Sequence, residues 1–224
     1  MKLLFLLPYY IFFFNFTMFA QHHHDHKKGH GASANEYMHQ SSMGDLVERF
    51  ESPERDAYQM PDKVLNALGD LKGKTIMDIG AGSGYFSVKL AKHAGQVIAA
   101  DVSKDFQEYL QKRITKDHIK NISLRFLPLD SPELKDGEVD MVFISNTYHH
   151  IDHRPRYFSM VKKGIKNGGS LVIIDYVKSD IPVGPPTEHK VSIDQIIAEL
   201  KKAGFTTFDI DVNLLPYQFI ITAR

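Results

Sequence analysis

The sequence predicts an α/β fold: a doubly wound, mostly parallel sheet whose last strand runs antiparallel. Three observations predict it. Short apolar runs alternate with amphipathic stretches through most of the chain, the pattern of a parallel sheet covered on both faces. A glycine-rich turn, "MDIGAGSGYF" from Met77 to Phe86, joins the first strand-like run to the first amphipathic one. The end of the chain, "TTFDIDVNLLPYQFIITAR", holds two strand-like runs with no helix between them. A tight link must join them, so the last strand reverses direction.

The elements follow in order. Globular patterning starts at about Leu46. Residues 46–70 read as helical, broken at "ESPERD" and restarting at "MPDKVLNAL", where Pro61 suits a first helical turn. "KTIMDI" is a short buried strand, and "YFSVKLAKHA" has apolar residues at helical spacing. "QVIAAD" is the second strand, and "SKDFQEYLQKRITK" a helix capped by Ser103. "ISLRFLPL" and "VDMVFIS" are the third and fourth strands. "RPRYFSMVKKGIK" is a helix stopped by Asn167-Gly168-Gly169, "SLVIIDY" the fifth strand, and "SIDQIIAELKKAGF" a helix ended by Gly204. No internal repeat or second core is visible.

Two segments precede this domain. Residues 1–20 carry one Lys and then an almost uninterrupted apolar run to Ala20. They read as a signal peptide cut after Ala20 that exports the domain to the periplasm or beyond. An uncleaved membrane anchor is the alternative, since the run approaches the ~20 residues that span a bilayer. Residues 21–45 read as a His-rich disordered linker. His22, His23, His24, His26 and His30 are dense enough to bind a metal, although a solvated linker is the simpler reading. The domain proper is residues 46–224.

The totals exclude several classes. Lys+Arg and Asp+Glu are both 27 in 224 residues. No basic excess points to a nucleic-acid partner. Cysteine is absent, which removes disulfides, thiolate metal sites and cysteine nucleophiles together.

In doubly wound sheets the ligand sits at the carboxyl ends of the central strands, where Asp78 to Gly84 falls. Gly80 and Gly82 permit torsions and close ligand approach that a Cβ would obstruct. The dinucleotide fingerprint G-x-G-x-x-G does not fit: its third Gly comes one residue early and Tyr85 fills the small position. Asp78 would also repel a pyrophosphate. Asp101 ends the second strand 23 residues after Asp78, where it can accept both hydroxyls of a ribose diol. Asp130 follows the third strand, where it could meet an adenine amino group. Three acids at successive strand ends favour a nucleoside with a positive side arm, and S-adenosylmethionine fits.

"IMDIGAGSGYFSVKLA", "VIAADVS", "LPLD", "DMVFISNTYHHI", "IKNGGSLVIIDY" and "ELKKAGF" resemble, in content and order, class I S-adenosylmethionine-dependent methyltransferases. The resemblance spans about Pro53 to the C-terminus. It implies a doubly wound, seven-stranded, mostly parallel sheet with an antiparallel last strand, a Rossmann-like methyltransferase fold. It also implies that Gly80, Ala81 and Gly82 line the amino-acid end of S-adenosyl-L-methionine, Asp101 holds the ribose, Asp130 the adenine, and Asn146 lies beside the cofactor. "SPERDAYQMPDKV" is similar to a segment that lids the cofactor in small-molecule members. Cysteine-dependent arsenite methylation is disfavoured, and other small-molecule acceptors stay open.

A base is needed only if the acceptor must lose a proton. His149 and His150 in "NTYHHIDHR" are the candidates, with His189 a weaker one, and Tyr148 could shape the pocket or orient the acceptor. Alternatively, one His packs under the loop and the other faces solvent. The function expected is methyl transfer to a small molecule. A catalytically silent S-adenosylmethionine- or S-adenosylhomocysteine-binding module is the alternative.

Overall fold

A computed structural model describes residues 41–224. The leader at 1–20 and the five linker histidines lie outside the described residues. Among the described residues the first helix starts at Met43, three residues before the boundary read from the sequence.

Three short helices lead in. They are α1 (Met43–Phe50), α2 (Pro53–Gln59) and α3 (Pro61–Ala67). Ser42 caps α1 by accepting from Asp45 N–H, and Ser52 caps α2 by accepting from Arg55 N–H, each at 3.2 Å. Pro53 and Pro61 occupy first-turn positions, where a missing N–H costs nothing. Met60 between α2 and α3 has φ 42°, so the chain turns sharply there.

The alternating part follows as β1 (Thr75–Ile79), α4 (Ser87–Leu90), β2 (Gln96–Asp101), α5 (Lys104–Lys116), β3 (Ile122–Phe126), β4 (Val139–Ser145), α6 (Arg154–Gly164), β5 (Ile165–Tyr176), α7 (Ile193–Lys202), β6 (Phe208–Asp211) and β7 (Gln218–Ala223). The seven strands form one sheet in the order β3-β2-β1-β4-β5-β7-β6. Pairs from β3 through β5 are parallel, and β7 runs antiparallel to both β5 and β6. The order reverses between β1 and β4, the crevice where open α/β sheets bind ligands.

Successive strand residues enter opposite cores. Met77, Ile79, Val142, Ile144, Leu171 and Ile173 pack with α6 and α7. Ile76, Met141, Phe143, Val172 and Ile174 pack with α3, α4 and α5 on the other face. Both faces of the central strands are buried, which is why the sequence shows near-continuous apolar runs there. Helix α5 presents Phe106, Leu110 and Ile114 to the core at four-residue spacing, and Ser103 caps it as expected.

Three elements differ from expectation. "YFSVKLAKHA" yields only four α-helical residues, because Lys92 and His93 N–H turn to carbonyls three residues back rather than four. β3 stops at Phe126, short of "LPL". Asn167-Gly168-Gly169 does not separate helix from strand but lies within β5. There the register jumps from Val139↔Ile165 to Met141↔Ser170, a bulge on the β5 side. A Cβ on Gly169 would stand 2.5 Å from Asp140 O, so the close strand approach itself requires glycine.

Candidate active site

The glycine loop after β1 is built from positive torsions: φ is +77° at Gly80, +54° at Gly82 and +82° at Gly84. Its glycines serve the protein's own packing as much as any ligand. A Cβ on Gly80 would meet Thr147 Oγ1 at 2.2 Å, and one on Gly84 would meet Leu110 Cδ1 at 2.4 Å. The close approach expected of a ligand at Gly80 is made, at the Cβ position, by the turn after β4. Gly80 and Ala81 N–H both bond Ala100 O, tying the loop back to β2.

Asp101 ends β2 and organises the loop from the far side. Its Oδ2 accepts from Gly82 N–H and its Oδ1 from Ser103 N–H, each at 2.8 Å. Burial raises its pKa, against the lowering effect of these backbone bonds. Each oxygen keeps a lone pair, so the carboxylate can still accept from a diol. Asp78 is buried beneath the loop and accepts from Ser87 Oγ at 2.6 Å. Desolvation pushes its pKa up to about 6, with a further contribution from Asp101. Asp130 lies in the exposed turn after β3, apart from the bonded network that joins Asp78, Gly82 and Asp101.

The lead-in helices lie across the carboxyl edge of the sheet as a strap. On the β2 side Phe50 stacks on Phe106 at 5.7 Å and would lie 3.5 Å from a Cβ on Gly82. Glu51 Oε1 accepts from Ser83 Oγ at 2.5 Å and from Arg113 Nη1 at 2.7 Å. Tyr85 OH donates to Asp56, and the Arg55 guanidinium lies 3.9 Å over the Tyr85 ring. On the β5 side the Tyr58 and Tyr176 hydroxyls approach to 3.4 Å. Asn146, at φ 58° after β4, donates through Nδ2 to Gln59 Oε1 at 3.0 Å and accepts from Gln218 Nε2.

The turn after β4 carries His149 and His150. His149 Nδ1 lies 2.9 Å from Asp175 Oδ1 and 3.0 Å from Oδ2, and both side chains are 3% exposed. His149 N–H also reaches Asp175 Oδ2 at 3.3 Å. Asp175 holds Nδ1 as a donor, so the neutral ring offers Nε2 as its basic nitrogen. His150 packs on His149 with ring centroids 4.2 Å apart. Burial, reinforced by His149, pushes its pKa down to about 3, and a nitrogen that reluctant to hold a proton is a weak base. Tyr148 does not shape the pocket. It is fully buried, stacks on Phe158 at 4.9 Å, and donates to Glu199 Oε2 of α7 at 2.6 Å. His189 lies in a short turn (Thr187–His189) of the proline-rich loop after β5.

Sequence reasoning missed Asp175, Gln59 and Gln218. Asp175 carried a usable signal, because an acid ends "LVIID" as acids end "IMD" and "IAAD". The two glutamines carried none.

A family model described as a methyltransferase domain matches residues 77–173. The chain is 37% identical over 123 residues to phosphoethanolamine N-methyltransferase 1 of Triticum aestivum, covering 53% of this chain and 24% of that enzyme. The chain spans less than half the length of the curated relatives it matches. Among solved structures, an S-adenosylmethionine-dependent methyltransferase from Aquifex aeolicus superposes with TM-score 0.75 at 27% identity, covering 82% of this chain and 98% of that one. Phosphoethanolamine N-methyltransferase 2 of Haemonchus contortus, solved with phosphomonomethylethanolamine and S-adenosylhomocysteine, shares the fold. It has TM-score 0.60 at 20% identity, covering 76% of this chain and 46% of that one.

Proposed function

We propose that this chain, which belongs to the class I S-adenosylmethionine-dependent methyltransferase family through residues 77–173, transfers a methyl group from S-adenosyl-L-methionine to a small-molecule acceptor. The observation that carries the reading is the Asp101–Gly82 bond, which joins the end of β2 to the loop after β1 beside the switch point of the sheet. It presents a preorganised carboxylate where a nucleoside ribose is expected. The donor set fits the cofactor: Asp101 would hold the ribose, the loop Gly80–Gly82 the amino-acid end, and the buried carboxylate of Asp78 would favour a cationic ligand. When bound, the cofactor supplies a methyl group on a sulfonium already activated for in-line displacement.

The protein's own contribution is placement, water exclusion and proton transfer. The strap from α1 to α2 crosses the site and covers it with Phe50, Tyr58 and Gln59. His149 accepts a proton at Nε2 from the acceptor, and Asp175 orients the ring and stabilises the imidazolium that forms. His150, with its lowered pKa, leaves that role to His149. The phosphoethanolamine enzymes among the relatives favour a small acceptor bearing an ionisable nitrogen or oxygen. Residues 1–20 would direct the chain to the membrane, with cleavage near Gln21, which mass spectrometry of the native N-terminus tests.

Calorimetry decides the cofactor. S-adenosylmethionine should bind, and Asp101→Ala should weaken binding at least tenfold. Equal affinity for wild type and variant, or preferential NADH binding, overturns the assignment. Labelled methyl donor incubated with extract of the native organism then separates enzyme from silent module, which would bind without turnover.

A further inference from the structure

The carboxyl edge of the parallel strands, where β4 and β5 end and the antiparallel β7 begins, carries with α2 a chain of three amides that methyl transfer and proton removal do not use. Gln218 Nε2 donates to Asn146 Oδ1, and Asn146 Nδ2 donates to Gln59 Oε1. The bonds run head to tail, so the chain has two open ends. Gln59 Nε2 is a donor and Gln218 Oε1 an acceptor, both fully buried and both without a partner among the described residues. Gln59 is 0% and Gln218 1% exposed. Ser145 Oγ, beside Asn146 at the end of β4, is a third buried polar atom without a partner. Unpaired buried groups forfeit their hydration, and folded interiors rarely collect several at one place.

Their position says what they await. Gln218 pairs with Tyr176 across β5 and β7, and Asn146 N–H bonds Ile174 O. The amides therefore occupy the β4–β5–β7 half of the carboxyl edge, next to Asp175 and His149. Asp101 and the glycine loop occupy the β1–β2 half. The first half is where the acceptor must lie if the second holds the nucleoside.

We propose that Gln59, Asn146 and Gln218 form a recognition relay for the methyl acceptor, whose open ends bind an uncharged group that both accepts and donates hydrogen bonds, such as a carboxamide or a hydroxyl. The proposal deepens the methyl-transfer reading and rests on it. A carboxylate would satisfy Gln59 Nε2 but set its lone pairs against Gln218 Oε1, beside the buried carboxylate of Asp175. An ammonium would satisfy Gln218 Oε1 and leave Gln59 Nε2 unpaired. Only a group with both functions completes the chain, and all three relay members are neutral, so the relay itself offers an ion no counter-charge. A site built this way rejects analogues that lack one function, because it leaves its own buried groups unpaired.

Side-chain amide NMR of the ¹⁵N-labelled full chain tests this with three small probes: acetamide, acetate and methylammonium. Acetamide should shift the Gln59 and Gln218 NH₂ signals saturably, and bind at least tenfold more tightly than either ion. Gln59→Glu keeps an oxygen for Asn146 Nδ2 and removes the open donor, so it should weaken acetamide at least tenfold without unfolding the chain. Equal affinity for the three probes, no saturable shift with acetamide, or an indifferent Gln59→Glu variant overturns the relay. If that variant does not fold, the comparison of probes on the wild type still decides. An S-adenosylmethionine titration in the same tube separates the two readings. Cofactor binding without probe discrimination overturns the relay alone. Selective acetamide binding without cofactor binding overturns methyl transfer and leaves a small-molecule site of another kind.

Discussion

The imidazole of His149 and the carboxylate of Asp175 form a buried dyad, with Nδ1 2.9 Å from Oδ1 and 3.0 Å from Oδ2. The two residues come from the turn after β4 and from the end of β5. They meet because those strands are parallel neighbours in register from Met141↔Ser170 to Ser145↔Ile174.

The dyad predicts a split between catalysis and cofactor binding. His149→Ala should lower the turnover of methyl transfer by about 10²–10⁴-fold. Asp175→Asn, which keeps the size of the side chain but no longer stabilises an imidazolium, should lower it less. Calorimetric affinity for S-adenosylmethionine should stay within about twofold in both. Unchanged turnover in His149→Ala would remove proton transfer from its role.

Asp78 should make the cofactor-free protein less stable as pH rises. Its pKa is 3.8 ordinarily and about 6 when folded. Between those values the folded state binds more protons than the unfolded, so unfolding free energy falls as pH climbs from about 4 to 6. The loss is about 3 kcal/mol at most. Asp78→Asn should remove this falling contribution, so that stability in urea melts rises more steeply with pH between about 4 and 6 than in the wild type, and an unchanged slope would contradict the assignment.

His150 acts in the opposite direction over an overlapping range. Its folded pKa of about 3 lies below the ordinary 6.5, so the unfolded state binds more protons between them. Stability is therefore lost as pH falls from about 6.5 towards 3, by up to roughly 5 kcal/mol. His150→Gln should protect against acid, and the double variant with Asp78→Asn should lose both contributions. Acid lability that persists undiminished in His150→Gln would place its origin elsewhere.

Gly80→Ala should destabilise the fold by about 2–4 kcal/mol, combining a left-handed torsion with collision against Thr147. Adding Thr147→Ala should recover the collision but not the torsion. A double-mutant cycle in denaturant melts should thus give a favourable coupling above about 1 kcal/mol. Strict additivity would mean that the loop moves away at little cost.

The strap should depend on Glu51, which holds Ser83 Oγ and Arg113 Nη1 together. Glu51→Ala should speed amide hydrogen exchange in α1 and α2 while leaving the sheet protected. Its effect on global stability should stay near or below about 1 kcal/mol, since the Glu51–Arg113 pair is partly exposed. Unchanged exchange in α1 would show that Phe50 packing alone holds the strap.

The sequence by itself determined the strand–helix alternation, the reversal of the last strand, the glycine loop and the acids Asp78 and Asp101 that close round it. These features are local. Apolar period, capping serines and glycine torsions act within a few residues, so they can be read along the chain. Only the tertiary structure decided who meets whom. The bulge that takes Asn167-Gly168-Gly169 into β5 answers to Asp140 on the neighbouring strand, and Gly80 answers to Thr147, 67 residues later. The dyad of His149 with Asp175 and the relay of Gln59, Asn146 and Gln218 join residues that sequence spacing does not relate. Their pairing follows from sheet order and from a strap folded back over the carboxyl edge. A side chain such as Gln59 carries no mark of its partner. Burial decides that its amide must be satisfied, and burial exists only once the chain has closed.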